Sequence, residues 1–186
     1  MPEQPNRRNL ELKVTCQPAD LDDVLERTRE LSCTPIERVR QTDTYVDVPR
    51  GRLKLREIRG SDSNDSVIRA ELIAYSRADE EGSRWSTYEV VPISPEHAPA
   101  MLRALLLNHQ ERMRIDKIRH IGLIGRTRVH LDRVLGLGSF VELETVIGGQ
   151  GDDAALREHQ EVIAALALER FSSVAGSYSD LANATG

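Results

Sequence analysis

Charged residues alternate with apolar ones along several short segments of this chain, and residues 141–144 are the clearest example. Successive side chains of a β-strand point to opposite faces, so Glu142 and Glu144 would share one face, with Val141 and Leu143 on the other. Carboxylates crowded into one space repel each other unless a cation lies between them. The spacing therefore predicts a strand that presents two acids to a cation.

The same alternation groups basic residues elsewhere in the chain. Arg52, Lys54 and Arg56 would share one strand face, with Leu53 and Leu55 behind them. Further sets at this period are Glu11 with Lys13, Lys117 with Arg119, and Arg126, Arg128, His130 and Asp132 together. For one strand alone, the solvated face of an ordinary antiparallel sheet explains the pattern. Several such strands favour a closed sheet with a charged interior. Such an interior must bind a charged ligand, because burying unpaired ions is costly.

A triphosphate with a divalent metal fits this inventory of charges. A triphosphate carries about four negative charges near neutral pH, and Mg²⁺ binds phosphate oxygens together with one or two carboxylates. Glu11, Glu142 and Glu144 suit Mg²⁺ or Mn²⁺. Basic residues outnumber these acids, and they are the candidate phosphate ligands: Lys13, Arg52, Lys54, Arg56, Lys117, Arg119 and Arg128.

Other candidates carry two interpretations each. Asp132 either binds the metal or orients its ligands, or it is a residue of the turn before Gly136. Arg77 shares a predicted strand face with Glu71, so it either contacts the ligand or forms an internal ion pair. A lone histidine in a strand is usually structural, and we therefore leave His130 outside the predicted site.

Several of these segments resemble the motifs of the CYTH superfamily, also called the triphosphate tunnel metalloenzymes. Residues 9–13, Asn-Leu-Glu-Leu-Lys, are similar to its N-terminal ExExK signature. The resemblance continues in order through residues 41–45, 51–57, 71–77, 117–119, 128–132, 137–144 and 177–181. Residues 51–57 and 128–144 are most similar to bacterial class IV adenylate cyclase-type proteins. Asn9 stands where the signature has its first Glu, which leaves the metal site one carboxylate poorer.

The resemblance implies an α+β fold in which a closed eight-stranded antiparallel β-barrel forms the tunnel and helices pack outside it. One CYTH domain would span residues 1–186, with a core of about 8–181 between short flexible termini, and family relatives suggest a homodimer. Tyr178 would close the site, although packing of this tyrosine on the barrel explains its position equally well.

Residue patterns and resemblance together give one predicted site. Its catalytic residues are Glu11, Lys13, Glu142 and Glu144. Its substrate-binding residues are Lys13, Arg52, Lys54, Arg56, Arg77, Lys117, Arg119, Arg128 and Tyr178. Its metal ligands, for Mg²⁺ or Mn²⁺, are Glu11, Glu142, Glu144 and Asp132.

Three function classes share these ligands. By resemblance, the leading prediction is an adenylate cyclase that converts ATP to cyclic AMP and pyrophosphate. The second is a phosphohydrolase for tripolyphosphate, thiamine triphosphate or another small triphosphate. The third is a module that binds a phosphorylated metabolite without turning it over. Both enzyme mechanisms depend on charge stabilisation and in-line positioning, so the residues do not separate them.

Composition favours a single soluble domain. The chain has 186 residues and a net charge of −5, which argues against a general affinity for nucleic acid. We find no apolar run long enough for a membrane span. The N-terminus also lacks the charged segment followed by an apolar segment that is typical of signal peptides, and we therefore expect a cytoplasmic protein. Cys16 and Cys33 lack metal-ligand spacing and are expected to be reduced bystanders.

Start signals and apolar spacing predict three helices. The first begins at Asp20 and runs to about Leu31, the second begins at residues 94–96, and the third runs from Asp152 or Asp153 to about Leu168. The third would pack Leu156, Val162, Ile163 and Leu166 against the sheet and leave Arg157, Glu158 and Glu161 in water. Polar loops are predicted at residues 60–66 and 78–86.

Overall fold

Eight antiparallel strands close into a barrel in the computed structural model, which describes residues 7–60, 66–147 and 151–185. The strands are β1 (Arg7–Cys16), β2 (Glu37–Val46), β3 (Arg52–Arg59), β4 (Val67–Arg77), β5 (Arg84–Ile93), β6 (Glu111–Ile124), β7 (Thr127–Val134) and β8 (Gly138–Val146). Their order around the barrel is β1-β5-β4-β3-β2-β6-β7-β8, and β8 pairs with β1 to close it. The predicted α+β fold with a closed eight-stranded antiparallel β-barrel is confirmed.

In the described parts of the chain, four α-helices pack outside the barrel: α1 (Pro18–Leu31), α2 (Ala98–Leu106), α3 (Asp152–Ala165) and α4 (Tyr178–Thr185). Helix α1 begins two residues before the predicted Asp20, because proline is well suited to the first helical turn. The predicted start at residues 94–96 forms a 3₁₀ turn that leads into α2. We did not predict α4, whose eight residues are too few to show a helical repeat.

Helix α3 ends earlier than predicted and uses a different face. It stops at Ala165 because Ala167 has a left-handed backbone with φ of 52°, which breaks the helical path. Leu156, predicted to pack on the sheet, is 40% exposed, whereas Ala155 and His159 are fully buried. Glu158 does not simply face water, since it accepts hydrogen bonds from the backbone N–H of Arg126 and the hydroxyl of Thr127.

The main apolar core lies between the barrel wall and helices α1 and α3. The outward-facing residues of β7 and β8 meet the inner faces of these helices there, in a cluster of Leu12, Val14, Leu21, Val24, Leu25, Val129, Leu131, Val141, Leu143, Val162, Leu166 and Leu168. The apolar positions of the alternating strands are therefore used on the outside. Their charged positions are left for the barrel interior.

The C-terminal segment closes one end of the barrel. The N–H of Thr15 donates to the carbonyl of Ser172, and the N–H of Val174 donates to the carbonyl of Lys13. Tyr178 follows at the start of α4 and packs with Phe140 in a second apolar cluster. This end is called the closed end below, and the opposite opening is called the mouth.

Parts of the predicted loops and termini lie outside the described residues, namely 61–65 of the loop at 60–66, the N-terminal residues 1–6, and residue 186. The predicted loop at 78–86 is shorter than expected, because β5 already begins at Arg84. Within the described parts of the chain, we find no helix whose length and apolar character would suit a membrane crossing.

Candidate active site

The barrel encloses a cavity of about 420 Å³ lined mainly by charged side chains. The strand alternation seen in the sequence directs these side chains inward. Most predicted site residues meet here: Glu11, Lys13, Lys54, Arg56, Arg77, Lys117, Arg119, Arg128, Glu142, Glu144 and Tyr178. Two predicted residues, Arg52 and Asp132, do not line this cavity.

Strands β1 and β8 bring the acidic residues together. Glu11 lies directly opposite Glu144 in the strand register, and Lys13 lies opposite Glu142. Glu142 accepts from Arg119 at 2.5 Å and pairs with the Lys13 amine at 3.2 Å. Glu144 is held more loosely, with Arg128 3.4 Å from its Oε2. The acids are thus adjacent, and each has at least one basic neighbour.

Arg77 forms its ion pair with Glu11. The predicted internal pair of Arg77 with Glu71 is not formed, because Glu71 lies beside Arg56 on the neighbouring strand at 3.8 Å. The Arg77 guanidinium also donates to the carbonyl of Gly176 at 2.6 Å. Arg77 therefore joins Glu11 of β1 to the closed end of the barrel.

Two buried aspartates each hold one lysine and one arginine in place. Asp43 on β2 accepts from Lys54 at 2.8 Å and from Arg56 at 2.9 Å. A second set has the same form on the β6–β7 hairpin: Asp132 accepts from Lys117 at 3.0 Å and from Arg119 at 2.7 Å. In both sets the aspartate lies directly opposite the arginine in the strand register. We did not predict Asp43, although its place at period two with Gln41 and Tyr45 was available as a signal.

Asp132 was predicted to bind the metal or orient its ligands, or to be a turn residue, and the structure excludes only the turn. It lies within β7, is 0% exposed, and also accepts from the Tyr178 hydroxyl at 2.9 Å. Both carboxylate oxygens are occupied by these donors. This geometry favours an anchor for the basic residues, and metal binding by Asp132 stays a prediction.

Arg52 lies apart from the other candidate phosphate ligands. Its guanidinium pairs with Asp79 at 2.6 Å and with Asp180 at 2.8 Å, near the closed end. The alternation correctly puts Arg52 on the face of Lys54 and Arg56. Its position at the first residue of β3 places it against α4, where Asp180 lies, and that tertiary neighbour is not visible in the strand pattern.

Tyr178 lines the cavity at the closed end and also packs on the barrel. The two roles predicted for this residue are therefore compatible. Its ring lies 4.0 Å from the Lys13 amine and 4.7 Å from the Lys117 amine. The Tyr178 ring also contacts the ring of Phe140 edge-on, with the two ring centroids 5.1 Å apart. The closed end thus has an aromatic surface directly beneath two cationic groups.

His130, which we left outside the predicted site, lines the cavity. It lies opposite Glu142 in the strand register and its Nδ1 is 3.7 Å from Glu144 Oε1. The period-two pattern with Arg128 and Asp132 already indicated this face.

The mouth has a different character from the interior. Apolar and aromatic side chains reach the cavity there from separate strands, namely Ile58, Tyr88, Val90 and Ile121, together with the Arg69–Glu37 ion pair. No sequence pattern indicates this group, because its members become neighbours only when β2, β3, β4, β5 and β6 close the barrel.

The sequence matches the CYTH domain family over residues 7–178, which include all eight strands. The chain belongs to the CYTH family. Comparison with curated proteins gives no significant match.

Solved structures with the same CYTH-type barrel include proteins of several kinds. A conserved hypothetical protein from Pyrococcus furiosus has 22% identity and a TM-score of 0.69, over 93% of this chain and 99% of that one. A protein from Vibrio parahaemolyticus, provisionally named adenylate cyclase, has 20% identity and a TM-score of 0.65, over 97% and 99%. A Hippeastrum protein, described as having a dominant triphosphatase activity, has 12% identity and a TM-score of 0.60, over 95% and 93%. At these identities the likeness shows the fold.

The acidic side of this CYTH barrel fits a divalent metal ion. Glu11 and Glu144, opposed in register, repel each other without a cation between them. Asn9 is 3% exposed, lines the same cavity, and its Oδ1 has no hydrogen-bond partner. Oxygen donors of this kind suit Mg²⁺ and Mn²⁺. Within residues 7–60, 66–147 and 151–185, no three Asp, Glu, His or Cys side chains are placed so that they could hold a metal ion by themselves.

Burial and the neighbouring charges shift the pKa values of the CYTH site in different directions. Burial lowers the pKa of the Lys13 and Lys117 amines to about 8. Burial would raise the pKa of Glu142, but Lys13 and Arg119 outweigh it and hold that pKa well below its ordinary value. Burial, followed by the charge of Arg119, lowers the pKa of His130 to about 4. At neutral pH the carboxylate of Glu142 is charged and the imidazole of His130 is neutral.

Proposed function

We propose that this protein is a divalent-metal-dependent enzyme that acts on a nucleoside triphosphate, as a cyclase of the class IV adenylate cyclase type. In this reaction the ribose 3′-hydroxyl attacks the α-phosphorus of ATP, and pyrophosphate leaves as cyclic AMP forms. The observation that carries the proposal is the division of one cavity into a cationic interior and an apolar, aromatic mouth. A nucleoside triphosphate has two matching parts, an anionic triphosphate for the interior and an aromatic base for the mouth.

The interior suits the triphosphate. Among the described residues, eight Lys and Arg side chains and five Glu side chains line the cavity, so this lining is cationic overall and attracts a polyanion. Arginine offers two-pronged contacts to phosphate oxygens, and lysine offers a compact charge. Asp43 and Asp132 fix the directions of two such Lys–Arg sets before any ligand binds, which reduces the cost of ordering them on binding.

A bound metal would be held by Glu11, Glu144 and the Asn9 amide oxygen, and it would neutralise developing charge on the phosphates. The side chains of the protein supply the rest. Lys13, Lys117 and Arg119 would bind the two terminal phosphates near the closed end and stabilise the charge of departing pyrophosphate. Tyr88 and its apolar neighbours would hold the base at the mouth and keep the α-phosphate in line with the attacking hydroxyl.

The runner-up function is a triphosphatase, in which water attacks the terminal phosphate. The Hippeastrum protein with a similar fold favours this alternative, since a dominant triphosphatase activity is described for it. In this barrel, however, Tyr178 and Tyr45 are almost fully buried at the closed end. An attacking water would have to reach a terminal phosphate bound there from the mouth, past the rest of the substrate, and this is our reason for preferring attack at the α-phosphate.

Product analysis tests the proposal. The purified protein would be incubated with ATP, GTP, thiamine triphosphate or tripolyphosphate and with Mg²⁺ or Mn²⁺. We expect cyclic AMP and pyrophosphate from ATP, and no product without metal. Release of orthophosphate without a cyclic nucleotide would assign the protein to the triphosphatases. Tight binding without turnover of any of the four compounds would contradict both enzyme proposals and favour a binding module.

Replacing Tyr88 by Ala is expected to raise the KM for ATP about tenfold, because stacking of a base on an aromatic ring contributes roughly 1–3 kcal/mol. Binding of tripolyphosphate, which has no base, should not change. Steady-state kinetics with ATP and calorimetric titration with tripolyphosphate measure the two effects. Tyr88→Phe is the matched control and should retain the affinity for ATP. Equal weakening of both ligands would show that Tyr88 acts on the phosphates or on the fold.

Triphosphate binding is expected to weaken as the pH rises through about 8, the pKa to which burial lowers the Lys13 and Lys117 amines. Below this pKa both amines are charged and attract phosphate. Above it they become neutral, while arginines keep their charge. The dissociation constant of a non-hydrolysable ATP analogue, measured from neutral pH upward, would show the change. A Lys13→Arg, Lys117→Arg double variant should remove the pH dependence, and an unchanged profile in that variant would contradict the assignment.

A further inference from the structure

His130 is buried inside the barrel with one ring nitrogen that no residue satisfies. The side chain is 5% exposed, lines the cavity, and its Nδ1 has no hydrogen-bond partner. The nearest acceptors, Glu144 Oε1 at 3.7 Å and Glu142 Oε2 at 4.0 Å, are too distant for a hydrogen bond. A buried polar atom without a partner is uncommon in folded proteins and requires an explanation.

The distance between His130 and Glu144 suits an ion better than a direct contact. Metal–nitrogen and metal–oxygen bonds of about 2.1 Å add to roughly 4.2 Å, so one ion can bridge two donor atoms 3.7 Å apart. Glu142 and Glu144 lie two residues apart on the same face of β8, so two carboxylates face this unsatisfied nitrogen.

We infer that His130 Nδ1 is a ligand of the metal ion, and that this nitrogen makes the site favour Mn²⁺ over Mg²⁺. The inference rests on the proposed metal-dependent function and names one of its ligands. Mg²⁺ strongly prefers oxygen donors, whereas imidazole is a good ligand for transition-metal ions, and Mn²⁺ also accepts carboxylate oxygens. Together, Glu144 and His130 offer both kinds of ligand to one ion.

Pulsed electron paramagnetic resonance of Mn²⁺ bound to the protein tests the inference without measuring activity. A nitrogen bonded to Mn²⁺ gives a ¹⁴N modulation of the electron spin echo, and the wild-type protein is expected to show it. His130→Gln should abolish the modulation, because a glutamine amide binds metals through its oxygen. His120→Gln is the matched control on the outward face of the adjacent strand, and it should retain the signal.

Affinity measurements give a second readout. His130→Gln is expected to weaken Mn²⁺ binding by about tenfold or more and Mg²⁺ binding much less, so that the preference for Mn²⁺ is lost. Bound Mn²⁺ without nitrogen modulation in the wild type, or modulation that persists in His130→Gln, would overturn the ligand assignment and leave the metal-dependent function intact. A complete lack of Mn²⁺ binding, with and without a non-hydrolysable ATP analogue, would overturn the ligand assignment together with the proposed metal dependence.

Discussion

Replacing Glu144 by Gln is expected to lower metal-dependent turnover by about a hundred- to a thousandfold, as loss of one group that stabilises transition-state charge commonly does. Of the three predicted metal-binding glutamates, Glu144 is the least engaged by basic side chains, since Arg128 approaches it only to 3.4 Å whereas Glu142 has closer basic partners and Glu11 pairs with Arg77. It is therefore the acid most available to a metal. Glutamine keeps the shape of the side chain and removes its charge, and kcat/KM for ATP at several Mn²⁺ concentrations measures the effect.

Glu89→Gln provides the matched control for this prediction. Glu89 lies on β5 and is exposed on the outer surface, so the same chemical change there should leave kcat/KM unaltered. The expected loss in Glu144→Gln should be accompanied by weaker Mn²⁺ binding and an unchanged urea unfolding midpoint. Full activity of this variant at limiting Mn²⁺ would exclude Glu144 from the metal site.

The period-two pattern predicted the interior of the barrel because strand geometry is local. Once residues 141–146 form a strand, the positions of Glu142 and Glu144 on one face follow without any knowledge of the neighbours. The same reasoning assigns Lys54 and Arg56, as well as Lys117 and Arg119, to the cavity. In this chain the apolar positions of the same strands pack under α1 and α3, which leaves the charged face inside.

Contacts between elements that meet only in the folded barrel could not be predicted in the same way. Arg52 has the right alternation, yet α4 brings Asp180 to its guanidinium and takes it away from the cavity lining. The mouth residues Ile58, Tyr88 and Ile121 belong to three strands that are distant in sequence. Helix α3 shows a further difficulty, because small Ala155 and polar His159 are buried while Leu156 is exposed. Hydrophobic spacing alone favours the wrong face there.

Replacing Asp132 by Ala is expected to lower the free energy of unfolding by about 3–5 kcal/mol, the usual cost of removing one partner from a buried ion pair. Asp132 is 0% exposed and holds Lys117, Arg119 and Tyr178. Without it, Lys117 would lose its carboxylate partner inside the barrel. Burial acts to raise the pKa of Asp132, but Arg119 and Lys117 outweigh it and keep the group ionised at neutral pH. Urea unfolding at neutral pH measures the change.

The same experiment separates the anchoring role from the predicted metal-ligand role of Asp132. If Asp132 is an anchor, its replacement lowers the unfolding midpoint even in metal-free buffer, because Lys117 and Arg119 lose their carboxylate partner whether or not a metal is bound. A lost metal ligand leaves that midpoint unchanged and weakens Mn²⁺ binding instead. Asp116→Ala, at an exposed position on β6, is the control and should change neither quantity substantially. Asp43→Ala should behave like Asp132→Ala, because Asp43 holds Lys54 and Arg56 in the matching arrangement on the β2–β3 hairpin.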